Sequence, residues 1–140
     1  MIKTEIQDAK SLMADDPVRP SISATRRCTD HFEMYHTGNI EVGEREAAIC
    51  IAFCDRVPIT EKELLASSPG KIAVFYTVWA YSNKYGAGRN IVFAALDLAK
   101  ERGMKRFVTM SPKTGMARRF HLRNGAKLVS ENEETNTFEY

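Results

Sequence analysis

Apolar residues fall into a few discrete runs along this chain, and most of them read as strands. Ala47 to Cys54 is unbroken in its apolarity, bounded by Glu44-Arg45-Glu46 before it and Asp55-Arg56 after it. Such a short run, rich in residues that favour strands, predicts a central strand buried on both faces. Lys71 to Tyr81 is the longest strand candidate, and Arg106 to Met110 is another. Shorter strands are predicted from Phe32 to Tyr35, closed by Thr37-Gly38-Asn39, and from Ala126 to Ser130 paired with Thr137 to Tyr140.

Helical spacing appears in three places. Ile2, Ile6, Ala9 and Met13 predict a first helix of about three turns, stopped by Asp15-Asp16-Pro17 and Pro20. Arg89 to Arg102 carries Ile91, Val92, Ala95, Leu98 and Ala99 on one face, with Gly103 as its stop. Thr114 to Arg123 is a short third helix ended by Asn124-Gly125. The polar connection from Pro58 to Gly70 has room for one turn at Glu61 to Ala66, whereas Ser21 to His31 fits loop, helix or edge strand equally. This order predicts the α/β (α+β) class, a sheet with helices packed on it, in one domain over residues 1–140.

Composition narrows the function classes. With 20 Lys plus Arg against 18 Asp plus Glu, there is no global field that would make nucleic acid the main partner. The apolar fraction of 44% is ordinary, no run approaches the length of a membrane span, and the first residues lack a signal-peptide pattern, so a cytoplasmic protein is expected. Cys28, Cys50 and Cys54 are an odd number of thiols and suit a reduced state. Within a strand, Cys50 and Cys54 would stand roughly 13 Å apart, too far to share a metal, so they read as structural and no metal is expected.

The chemistry concentrates where the longest strand ends. Asn83-Lys84-Tyr85-Gly86-Ala87-Gly88-Arg89 leads straight into a helix. Glycines let the main chain turn and approach a ligand, while free N–H groups and the helix dipole attract an anion. Lys84 and Arg89 flank the loop, and a pyrophosphate is the natural ligand. The same local pattern also serves an ordinary tight strand-to-helix junction. No Gly-Lys-Ser/Thr closes the loop and no third glycine with a following acid is present, which argues against nucleoside triphosphate and NAD sites.

Together these residues resemble the GNAT superfamily of N-acetyltransferases, whose signature is a strand, Arg/Gln-x-x-Gly-x-Gly/Ala, a helix, a strand, and a helix ending in Phe-Tyr-x-x-x-Gly-Phe. The resemblance covers Lys71 to about Lys127, with Val78, Asn83, Gly86, Gly88, Ala117, Phe120 and Gly125 on family positions. The wording Phe75-Tyr-Thr-Val-Trp79, Ser111-Pro-Lys-Thr114 and Phe120-His-Leu-Arg-Asn-Gly125 is similar to GNAT-type proteins of tailed bacteriophages. The resemblance implies a mixed, mostly antiparallel sheet with splayed central strands, and acetyl-CoA as acyl donor. It places the CoA pyrophosphate on Asn83, Lys84, Tyr85, Gly86, Ala87, Gly88 and Arg89. It places pantetheine along Val78, Trp79 and Ala80 and near Thr114. The implied acceptor is a small-molecule or protein amine, and a homodimer is allowed.

Four positions depart from the family: Asn83 for Arg or Gln, Thr114 for Asn, Ala126 for an aromatic, and His121 for the tyrosine that protonates the departing thiolate. An imidazole can also give a proton, which makes His121 the catalytic candidate by resemblance; otherwise it is a packed helix residue. The general base is left among water, Glu33 and Tyr76. Lys113, Arg118, Arg119 and Arg123 make the last helix basic, which suits a solvated face, an acidic acceptor or RNA. Trp79, Tyr81 and Tyr85 read either as lining the acceptor or adenine side or as packing. The alternative to an enzyme is a catalytically silent GNAT-fold protein that binds CoA or a protein partner.

Overall fold

The computed structural model describes residues 1–81 and 86–140. Among the described residues, eight strands form one sheet: β1 (Ile2–Lys3), β2 (Phe32–Thr37), β3 (Ala47–Cys54), β4 (Ile72–Ala80), β5 (Arg106–Thr109), β6 (Ser111–Pro112), β7 (Lys127–Glu131) and β8 (Thr135–Glu139). The order across the sheet is β1-β2-β3-β4-β5-β8-β6, with β7 also paired to β8. Among these strands, β4 and β5 pair in parallel and the other pairings are antiparallel.

Helices α1 (Ile6–Leu12), α2 (Ala24–Arg27) and α3 (Glu61–Leu65) pack on one face of the sheet, and α4 (Ala87–Glu101) on the other. That explains the unbroken apolar run of β3, every residue of which is buried. Its Ala48, Cys50, Ala52 and Cys54 meet Ala9, Leu12, Ile22, Ala24 and Leu64 on the first face. Its Ile49, Ile51 and Phe53 meet Ile91, Val92, Ala95 and Ala99 on the second. Period-two alternation is invisible in such a strand because both sides are dry.

Some elements differ from expectation. Ile2 starts no helix; Ile2 and Lys3 pair with His36 and Tyr35, and a turn of 3-10 helix at Met13–Asp15 extends α1 instead. Ser21 to His31 holds α2, capped by Ser23, whose hydroxyl accepts from the Arg26 amide. Ser111-Pro112, where a proline follows a serine after β5, pairs with β8. On α4, Leu98 packs half-buried against the same core as Ile91, Val92, Ala95 and Ala99, and Leu96 is buried there as well. No helix among the described residues is long and apolar enough to cross a membrane.

Candidate active site

The parallel pair in the sheet comes apart halfway along. β4 and β5 are in register from Ile72 opposite Arg106 to Phe75 opposite Thr109, and the last bond runs from the Met110 N–H to the Phe75 carbonyl at 3.2 Å. Beyond it, β4 continues to Ala80 with β3 on its other side, while the chain after β5 turns away into β6 and β8. The edge of β4 from Tyr76 to Ala80 therefore faces a fork. A bulge sharpens the divergence: Ile51 lies opposite Phe75 and Cys50 opposite Thr77, so Tyr76 is the extra residue.

Helix α4 starts just past the end of β4. Gly86 is its N-cap, in the left-handed region at φ 66°, and has no side chain to cap the first turn. The opening N–H groups of this fifteen-residue helix have no intrahelical partner, and Gly86 offers them no side-chain acceptor. Gly88 lies against the Phe120 ring of helix α5 (Gly115–Arg123); a Cβ there would sit 3.4 Å from the ring. Arg89 is exposed, its guanidinium 4.9 Å from the centre of the Phe93 ring. Asn83, Lys84 and Tyr85 lie outside the described residues.

Along β4, Val78 is half-buried on the α4 face, Trp79 is buried on the α1 face beside Tyr81, and Ala80 is exposed. Thr114 is the N-cap of α5, its hydroxyl accepting from the Ala117 amide at 3.2 Å. His121 lies on the buried side of α5, 5% exposed, against Phe138. Its Nδ1 is 2.8 Å from the Tyr140 hydroxyl. Burial pushes its imidazole down from 6.5 to about 4, so at neutral pH the ring carries no extra proton to give.

That burial makes His121 a stability group with a definite sign. The unfolded chain binds a proton below pH 6.5 that the folded chain refuses until about 4, so stability is intact above 6.5 and falls as pH drops. The loss attributable to His121 reaches on the order of 3 kcal/mol near pH 4. Urea unfolding at pH 7 and pH 4 should show it, and His121→Gln should flatten that part of the slope. His31 and His36, also lowered by burial, would remain in both chains as background.

Neither proposed base is poised for that role. Burial would raise the Glu33 carboxyl, but hydrogen bonds from Arg102 and Tyr35 outweigh it and hold it low. Burial drives the Tyr76 phenol well above its usual range, with Cys50 adding to the shift. The three cysteines are free thiols, and burial raises the Cys50 thiol to about 12, which keeps it protonated.

The α1 face of the fork holds polar residues that sequence reasoning missed. Asp16 is 3% exposed and accepts from the amides of Val18 and Arg19, the Thr77 hydroxyl and Arg27 Nη1, at 2.9, 2.9, 2.9 and 2.7 Å. Arg27 is fully buried and also donates to the carbonyls of Ile22 and Arg19. Arg19 reaches the carbonyls of Tyr76 and Met110. Asp16-Pro17 carried a usable signal: an aspartate bonding amides two and three residues on is a turn device. Nothing in Thr25-Arg26-Arg27-Cys28 says which arginine goes inside.

No family model matches the sequence, and no curated protein matches it. Solved structures do. The GNAT domain of S. lividans PAT superposes with a TM-score of 0.64 at 16% identity, over 99% of this chain and 87% of that one. A Bacillus subtilis acetyltransferase solved with CoA gives 0.62 at 12% identity, over 97% and 90%. The chain has the GNAT fold. It also superposes on malonyl-CoA decarboxylase from Agrobacterium vitis with a TM-score of 0.64 at 19% identity, where 84% of this chain spans only 33% of the other. The forked β4–β5 pair and the Gly86 start of α4 thus stand in a GNAT sheet. At identities this low the likeness concerns architecture.

Proposed function

We propose that this protein moves an acetyl group from acetyl-CoA to a primary amine by direct attack. The observation that carries the reading is the fork: a strand edge that no strand among the described residues pairs with beyond Tyr76, followed by a helix whose N-cap is Gly86, which has no side chain to cap it. Those two features suit the two halves of CoA. Val78 and Ala80 alternate with Trp79, whose main-chain groups face β3, so these two can pair with the amides of pantetheine as an added strand would. The first-turn N–H groups at Ala87, Gly88 and Arg89, preceded by Gly86, suit the pyrophosphate. Asn83, Lys84 and Tyr85 belong to the same loop by resemblance, as does Thr114 beside pantetheine.

In this reading the amine nitrogen bonds to the thioester carbon, the C–S bond breaks, and CoA leaves as a thiolate. The main-chain N–H of Val78, which faces away from β3, is suited to the oxygen that gains charge on the way. The proton shed by the amine passes to water, since Glu33 is tied up by Arg102 and Tyr76 is held protonated. His121 takes part only as a neutral ring bonded to Tyr140. Direct attack needs no metal. A bacteriophage source is carried by the residue wording alone.

The acyl-transfer step is tested by mixing the protein with acetyl-CoA and a panel of small amines, peptides and lysine-bearing proteins, and following free thiol. Enzyme-dependent thiol release with at least one acceptor is the expected result. Acetyl-CoA binding without release across the panel would support the silent CoA-binding alternative instead.

A further inference from the structure

Where β4 and β5 part, the Met110 carbonyl loses the partner that a continued ladder would give it, and the Tyr76 carbonyl belongs to the bulge of β4. In a regular parallel pair, the Met110 N–H bonding Phe75 would be followed by the Met110 carbonyl accepting from the Thr77 amide. Here Arg19 occupies that place. Its Nη2 donates to the Met110 carbonyl at 3.0 Å and its Nε to the Tyr76 carbonyl at 3.1 Å. Two donors on one rigid, planar guanidinium fix the separation of their acceptors, which a flexible ammonium cannot do.

Arg19 is itself fixed on several sides. It is 7% exposed, its amide is held by Asp16, and its carbonyl accepts from Arg27 Nη2 at 2.6 Å. Asp16 also holds the Thr77 hydroxyl, so the segment that carries Arg19 is anchored to the strand it props. Charge pairing does not account for the arrangement. The one ion pair of Arg19 among the described residues, with Glu61, spans 3.5 Å and is partly exposed, which gives it little worth. The short contacts go to uncharged carbonyls.

We propose that Arg19 is a positioning residue whose guanidinium replaces the next rung of the β4–β5 ladder and holds the two strands apart for the acyl thioester. Its purpose rests on the acyl-CoA reading, whereas the strand separation is measurable with no ligand present. Arg19→Lys keeps the charge without the fork geometry, and Arg19→Gln keeps one amide group as a milder change. In both variants, NMR should show a contact between the Thr77 amide proton and the Met110 α-proton that the parent chain lacks. Acetyl-CoA affinity should fall roughly tenfold or more, because the site is no longer preorganised.

A folded variant with unchanged strand separation overturns the proposal, whatever its melting temperature. Closed strands with unchanged acetyl-CoA affinity overturn the positioning role. A parent chain that binds no acetyl-CoA removes the acyl-CoA reading and with it the purpose assigned to Arg19, while the strand contact still decides whether Arg19 props the fork.

Discussion

Asp16→Ala is expected to cost about 3–5 kcal/mol of unfolding free energy, the range for breaking a buried ion pair by removing one partner. The change removes the acceptor of four hydrogen bonds and leaves the Arg27 guanidinium buried without its carboxylate. Arg27 cannot shed its charge to compensate, as a buried lysine could. The melting temperature should drop by roughly 10–20 °C, and chemical denaturation should give the free energy directly. Asp15→Ala is the control. Its pair with Arg45 is 41% and 33% exposed, so a loss of no more than about 1 kcal/mol is expected. Equal losses at the two positions would contradict the buried network.

Gly86→Glu should leave the chain folded and take acetyl-CoA binding down by roughly a hundredfold or more. Gly86 sits at φ 66°, where a side chain costs about 1–2 kcal/mol, an affordable strain for a single exposed residue. The new carboxylate would stand at the start of α4, where it competes with a phosphate for the same N–H groups and repels it. Losing one or two charge-assisted bonds amounts to about 3 kcal/mol, hence the factor of a hundred. Circular dichroism would verify folding, and calorimetry would read affinity. A variant that binds as well as the parent would place the phosphates elsewhere.

The parts of this fold legible in the sequence are those where one local pattern meets one environment. Ala47 to Cys54 is apolar throughout because both faces of β3 are covered, and Gly86 with Gly88 marks the strand-to-helix turn before α4. What stayed hidden depends on distant partners. Ile2 and Lys3 are a strand only because Tyr35 and His36 lie beside them. Asp15-Asp16-Pro17 reads as a helix stop, and no nearby residue reveals that Asp16 bonds Thr77 across the core. Arg19 likewise looks like a surface arginine until β4 and β5 are seen to part over it. His121 was legible as a helix-face residue and, by resemblance, as a proton donor; its depth against Phe138 and Tyr140, which lowers its pKa, comes from β8 and the residue after it.

The most direct test of the account is calorimetric titration of the full chain with acetyl-CoA, CoA and ATP in parallel, with Gly86→Glu beside it. Micromolar binding of acetyl-CoA and CoA is expected, with weak or no binding of ATP and loss of the CoA signals in the variant. Absence of binding by any CoA species would contradict the acyl-CoA reading, leaving a GNAT fold whose partner is another protein.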